Sequence, residues 1–168
     1  MSLSQLLFAD LEHEFAGTRK TLERVPDDKW DWKIHEKSLT IGSLATHLGR
    51  IPSWTMFTFD RESLDLNPAD GPNFNPPTPS NCAENLKIFD ENVAQAVATL
   101  QTVDDATLDQ PWTLLSGGET IFTIPKRMVI RTWVINHLIH HRAILTVYFR
   151  MNDIPVPALY GPSGDEQF

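Results

Sequence analysis

Cysteine is almost absent from this chain. Cys82 stands alone among 168 residues, so no internal disulfide can form and no thiolate cluster can hold a structural zinc. Positive charge is also scarce, with 14 Lys and Arg against 22 Asp and Glu and a net charge of −8. A nucleic-acid or anionic-membrane footprint needs clustered Lys and Arg, so neither partner is expected. No apolar run approaches the roughly 20 residues that a bilayer span requires. Met1 to Leu11 has no basic start, and Asp10 and Glu12 close it, so no signal peptide is expected. Together these absences point to a reduced, cytoplasmic protein, with residues 1–168 as one domain.

Other absences narrow the chemistry. No glycine-rich phosphate loop or nucleophile elbow occurs, and Ser116-Gly117-Gly118 reads as a turn. No alternation of strands and helices supports a nicotinamide or flavin fold. Cys82 has no basic neighbour to activate it.

What is present is helical periodicity punctuated by proline. Of the 12 prolines nearly all stand where a helix should start or stop; Pro52 alone falls inside a helical pattern. The first helix is expected over about Leu3 to Val25, with Leu3, Leu7, Leu11, Thr18 and Leu22 on one face. The second runs from about Thr40 to Asp60, capped by Ser38 or Thr40 and bent near Leu48, whose carbonyl loses its donor at Pro52. Arg61 to Ser80, with five prolines, reads as a long loop. A third helix follows over Asn81 to Leu100, with Leu86, Phe89, Val93, Val97 and Leu100 at helical spacing. A small hairpin turning at Ser116-Gly117-Gly118 is expected before the last helix, Pro125 to Met151. A faint echo links Val25-Pro26-Asp27-Asp28 to Val103-Asp104-Asp105, each following a helix and preceding tryptophan.

Chemistry concentrates in the histidines. In Asn136-His137-Leu138-Ile139-His140-His141, His137 and His141 lie about 40° apart on the helix surface. They share a stripe with Ile130, Val134, Ile144, Leu145 and Tyr148, so both imidazoles are expected to point into the core, and one helical turn is a spacing that lets two ring nitrogens reach one ion. His47 lies on an apolar stripe with Leu44, Ile51 and Trp54. The residues alone leave two readings. The three are a three-nitrogen metal site with one coordination position open, or they are hydrogen-bonded packing residues. Burial of a polar ring costs free energy unless a partner satisfies it, and an ion would. His140 falls at the stripe's edge, as a rim residue or an acid–base group. His13 and His35 read as surface residues. Glu14 lies on the apolar face of the first helix and needs a partner, such as an arginine; a bond to a ligand histidine and a role as base are the other readings. Leu138 stands where a metalloprotease would carry its general-base Glu.

Three segments in order resemble the DinB family, the DinB/YfiT-like metalloenzymes: Thr40-Ile41-Gly42-Ser43-Leu44-Ala45-Thr46-His47-Leu48, His137-Leu138-Ile139-His140-His141-Arg142, and Tyr148 to Pro157 leading into Leu159-Tyr160-Gly161-Pro162-Ser163. The resemblance covers essentially the whole chain. It implies an all-α four-helix bundle of up-down-down-up connectivity, usually dimeric. It also implies one divalent ion, zinc or nickel first and iron or manganese after, on His47, His137 and His141. The family commonly continues its histidine pair as His-Arg-Gly-Gln, whereas Arg142 is followed here by Ala143 and Ile144. The resemblance does not extend to the DNA polymerase that shares the name.

Relatives in this superfamily include transferases and isomerases that use a low-molecular-weight thiol. The expected function is therefore a metal-dependent enzyme acting on a small molecule, a thiol-dependent S-transferase by preference. A metal-dependent hydrolase and a non-catalytic, stress-associated metal-binding bundle are the alternatives. Asn67 to Ser80, Trp54, Trp133 and Tyr160 are candidates to line the substrate pocket.

Overall fold

The structure is a computed structural model that describes residues 2–69 and 78–167. Helix α1 spans Leu3–Leu22 and opens on a capping box, in which Ser2 Oγ accepts from Gln5 N and Gln5 Oε1 accepts from Ser2 N. Its face turns Leu7, Leu11, Phe15, Thr18 and Leu22 into the core, while Leu3 stays 45% exposed in the first turn.

Helix α2 covers Ile41–Arg50, with Thr40 Oγ1 accepting from Ser43 N at 3.0 Å. Gly42 is demanded by packing: a Cβ there would sit 2.3 Å from the Trp30 indole nitrogen. Pro52 does more than bend this segment. The helix stops, and α3 restarts over Ser53–Phe59. The interruption falls at residues 51–52, beyond the bend expected near Leu48. Carbonyls left short of donors are met by side chains: Asn92 Nδ2 donates to Gly49 O at 2.9 Å and Ser53 Oγ to Arg50 O at 2.8 Å.

Helix α4, Cys82–Leu100, packs against α1, α2 and α3 and buries Asn85, Phe89, Ala96 and Leu100. The short α5, Asp105–Leu108, follows it. The sequence echo has a structural counterpart here. After α1, Asp27 Oδ1 accepts from Cys82 N at 2.8 Å, at the start of α4. After α4, Asp105 accepts from Leu3 N and Ser4 N at 3.1 and 2.8 Å, at the start of α1. Each carboxylate sits at the positive end of the other long helix.

The all-α expectation is corrected by a three-stranded mixed sheet of order β1-β2-β3. The strands are β1 Ser63–Asp65, β2 Pro111–Ser116 and β3 Glu119–Pro125. The β2–β3 hairpin turns on Gly117 and Gly118, both with positive φ (60° and 82°), as a two-residue turn of that hand requires. Strand β1 pairs parallel to β2, with Leu64 opposite Leu114. It had no signature of its own, since three residues cannot display alternation. Tertiary contact recruits it, and the Asp65 carboxylate accepts from Gly117 N and Gly118 N at 2.9 and 2.7 Å. The chain is thus a mixed helical and β structure, not the four-helix bundle expected. Trp112, Leu114 and Val129 form a second, smaller core at the sheet end.

The last helical run also departs from regularity. It comprises α6 Lys126–Val129, a π-helical stretch Ile130–Asn136, and α7 His137–Met151. A π stretch widens the turn, so a constant 100° per residue misplaces the stripe. Leu138, Arg142, Leu145 and Phe149 occupy the buried centre of α7, and His137 and His141 are half-buried at its edge.

The arginine on that buried face joins Glu14. Arg142 is 2% exposed; its Nη2 donates to Glu14 Oε2 at 2.6 Å and to Tyr160 Oη, and its Nη1 donates to Glu14 O at 3.0 Å and Thr18 Oγ1 at 3.2 Å. The Tyr160 hydroxyl donates to Glu14 Oε2 at 2.7 Å. Removing one member of such a pair strands the other in the interior. We predict that Arg142→Met lowers the unfolding free energy by about 3–5 kcal/mol, read from urea denaturation. The Glu14→Leu/Arg142→Met double variant should recover most of the loss; a double variant no more stable than the single would show that the buried charge is not the cause.

Candidate metal centre

Two helices bring the three histidines together. His47 comes from the last turn of α2, just before the Pro52 interruption, and His137 and His141 from the first two turns of α7. His47 Nε2 lies 3.0 Å from His137 Nε2. The ring centroid of His141 is 4.4 Å from that of His47 and 4.6 Å from that of His137. One ligand atom from each residue can be chosen so that no pair is farther apart than 4.8 Å. Nitrogens bound to one ion at 2.0–2.1 Å stand about 3.3 Å apart in a tetrahedral arrangement. The His47–His137 pair, at 3.0 Å, is near that value.

The electrostatics favour ligand chemistry. Burial pushes the His47 imidazolium down to about 4, with further lowering from His137 and Arg50. Burial likewise brings His141 to about 4, with the facing histidines His47, His137 and His140 adding repulsion. His137 is lowered by burial, opposed by the nearby Trp133 carbonyl. All three rings are therefore neutral near pH 7 and carry lone pairs. Nδ1 of His137 and Nδ1 of His141 are buried, with no hydrogen-bond partner among the described residues. The packing alternative supplies the one contact between His47 and His137 and leaves these two buried nitrogens without a partner among the described residues. An ion would answer the converging lone pairs, so the residues present fit a divalent metal. Three imidazoles suit zinc, nickel or iron better than magnesium or calcium, which prefer oxygen.

Among the described residues no fourth His, Cys, Asp or Glu joins this group. Glu14 is taken up by Arg142 and Tyr160, which removes it as a ligand or base. Its pairing with an arginine was foreseen; that the arginine is Arg142, beside a candidate ligand, had only the family motif as a signal. His140 is exposed at the rim, its ring centroid 4.9 Å from that of His141. His13 and His35 are exposed, as expected. Cys82 donates through Sγ to Leu22 O at 3.2 Å, and burial pushes its thiol pKa up. Trp133 lies against His137, with centroids 6.1 Å apart and planes at 86°. Tyr160 belongs instead to the Glu14–Arg142 network. The candidate lining loop Asn67 to Ser80 falls largely on residues 70–77, outside the described residues.

A model of the DinB superfamily matches residues 10–145. The chain belongs to the DinB superfamily. An uncharacterized Bacillus subtilis (strain 168) protein, YrdA, is 26% identical over 162 residues, covering 92% of this chain and 86% of that one. Among solved structures, a DinB-like protein from Bacillus cereus superposes with a TM-score of 0.70 at 23% identity, covering 92% of this chain and 95% of that one. A second DinB-like protein, YjoA from Bacillus subtilis, gives 0.69 at 17% identity, with 90% and 95% covered. At these identities the two structures attest the fold. No helix among the described residues is long and apolar enough to cross a membrane.

The depressed histidines carry a pH signature. Between their ordinary value of 6.5 and about 4, His47 and His141 bind fewer protons folded than unfolded. Their stabilising contribution is therefore whole above 6.5 and is lost as pH falls toward about 4. In chelator, the melting temperature should drop through this window, and more gently in His141→Ala. Identical slopes for the two proteins would contradict the assignment.

Proposed function

We propose that this protein is a metal-dependent enzyme that holds one divalent ion, zinc or nickel before iron or manganese, on His47, His137 and His141. The observation that carries the proposal is the convergence of three neutral imidazoles with no fourth protein ligand among the described residues. Three protein ligands and an open position are the pattern of catalytic rather than structural zinc. Within that class the reading is a low-molecular-weight-thiol-dependent S-transferase acting on a small molecule, supported by membership of the superfamily. A bound ion would supply this chemistry by lowering the pKa of a thiol and presenting it as thiolate. The chain's own part is to keep the imidazoles unprotonated by burial, and to hold α7 in register through Arg142.

The deciding measurement is elemental mass spectrometry on protein purified without a nickel column or chelator. We expect about one ion per chain, lost in His47→Ala and His141→Ala while the helical circular dichroism signal persists. Thiol-transferase assays with the ion found should then give turnover that the variants lack. Full metal content in both variants would refute the ligand assignment; metal without thiol transfer would refute the reaction class.

We also propose a homodimer through the α1–α6 face, in line with the family. Leu3, Leu6 and Met128 are 45%, 50% and 41% exposed there. They flank a groove of about 440 Å³ that also takes in Leu7, Asp10, Arg127 and Arg131. Light scattering should report a dimer, converted to monomer by Leu6→Glu. A wild-type monomer would end this proposal.

A further inference from the structure

The second core is unusual in what it leaves open. Trp112 is fully buried, and its indole N–H donates to Phe57 O at 3.1 Å. Trp54, Phe122 and Trp133 pack on the same core yet are only partly buried. Neither indole N–H of Trp54 nor that of Trp133 meets an acceptor among the described residues. Three large aromatic side chains kept partly in water form an apolar surface that folding alone does not explain.

Their arrangement is ordered and leads to the metal cluster. Trp133 lies near-parallel to Phe122, with centroids 5.4 Å apart and planes at 16°. It is also near-parallel to Trp54, at 6.4 Å and 18°. Its other neighbour is His137, one turn on, met edge-on at 6.1 Å. Three separate irregularities deliver these rings: the Pro52 interruption starts α3 just before Trp54, the hairpin supplies Phe122, and the π stretch carries Trp133.

We propose that Trp54, Phe122 and Trp133 form a substrate wall selecting molecules whose metal-binding group is carried on a planar aromatic ring. The inference rests on the metal reading above and names the substrate class for that site. A molecule bound to the ion through one polar group extends past His137 onto Trp133. There a flat ring continues the set of near-parallel faces, and the indole N–H groups, which meet no acceptor among the described residues, can donate to its polar substituents. Aliphatic bodies of similar size gain contact but not the stacking geometry.

The test uses two probes of similar size with one metal-binding group, benzohydroxamic acid and cyclohexanecarbohydroxamic acid, titrated calorimetrically into zinc-loaded protein. The aromatic probe should bind about tenfold more tightly. Trp133→Ala should bring the ratio close to one while zinc stays at about one per chain. Should the alanine variant not fold, Trp133→Leu keeps an apolar residue and should collapse the ratio in the same way. Equal affinities in the wild type, or an undiminished ratio in the variants with zinc in place, would overturn the wall alone. Failure of the wild type to hold zinc would overturn the metal reading and this inference with it.

Discussion

One close approach governs the rest of the site: His47 Nε2 and His137 Nε2 stand 3.0 Å apart although 90 positions separate them in sequence. Two neutral imidazoles this close share at most one hydrogen bond, and His141 brings a third set of lone pairs. The arrangement is costly unless a cation occupies it. It persists only if α2 and α7 cannot slide past one another. On the α2 side, Asn85 Nδ2 donates to Ala45 O and Asn92 Nδ2 to Gly49 O, tying the helix to α4 through its backbone. Trp30 locks its first turn over Gly42.

On the α7 side the anchor is ionic. Arg142, next to His141, is gripped by Glu14, Thr18 and Tyr160, so α1, α7 and the C-terminal tail meet at one guanidinium. A buried ion pair is a poor source of stability compared with apolar packing of the same volume, but it tolerates only one register. Gly17 leaves the room this needs, since a Cβ there would come within 2.9 Å of Arg142 Nη1. The tail is fastened independently by Arg24 with Glu166 and by Arg150 with Asp165. The pair therefore ties α7, one residue on from His141, to α1 and the tail.

The sheet earns its place by what it presents. Strands β2 and β3 bring Trp112 and Phe122 against α3 and the π stretch, building a second apolar centre at the cluster's flank. The helical framework places the three histidines, and the sheet end places apolar aromatic surface beside them. This division explains why regular helical geometry fails twice in one region, at Pro52 and at Ile130–Asn136. Irregular backbone is concentrated around functional sites because it aims side chains that a straight helix cannot.

Local signals in the sequence were enough to locate α1, the start of α2, α4, the Gly117-Gly118 hairpin, and His137 and His141 one turn apart. His47, 90 positions away from His137, was joined to them as one of two open readings and by the family resemblance. Helical spacing, proline punctuation and turn residues act within a few positions, and such interactions are written in adjacent letters. The need of Glu14 for a cationic partner was legible for the same reason: a carboxylate on an apolar stripe is a local contradiction. Tertiary structure alone decided the rest. Strand β1 exists because β2 is beside it. The π stretch rotates the α7 stripe so that Arg142 is central and His137 and His141 are marginal. Cross-helix distances set which imidazole nitrogens converge. Each of these is a long-range choice between conformations of similar local free energy, settled by packing that no short stretch of sequence contains.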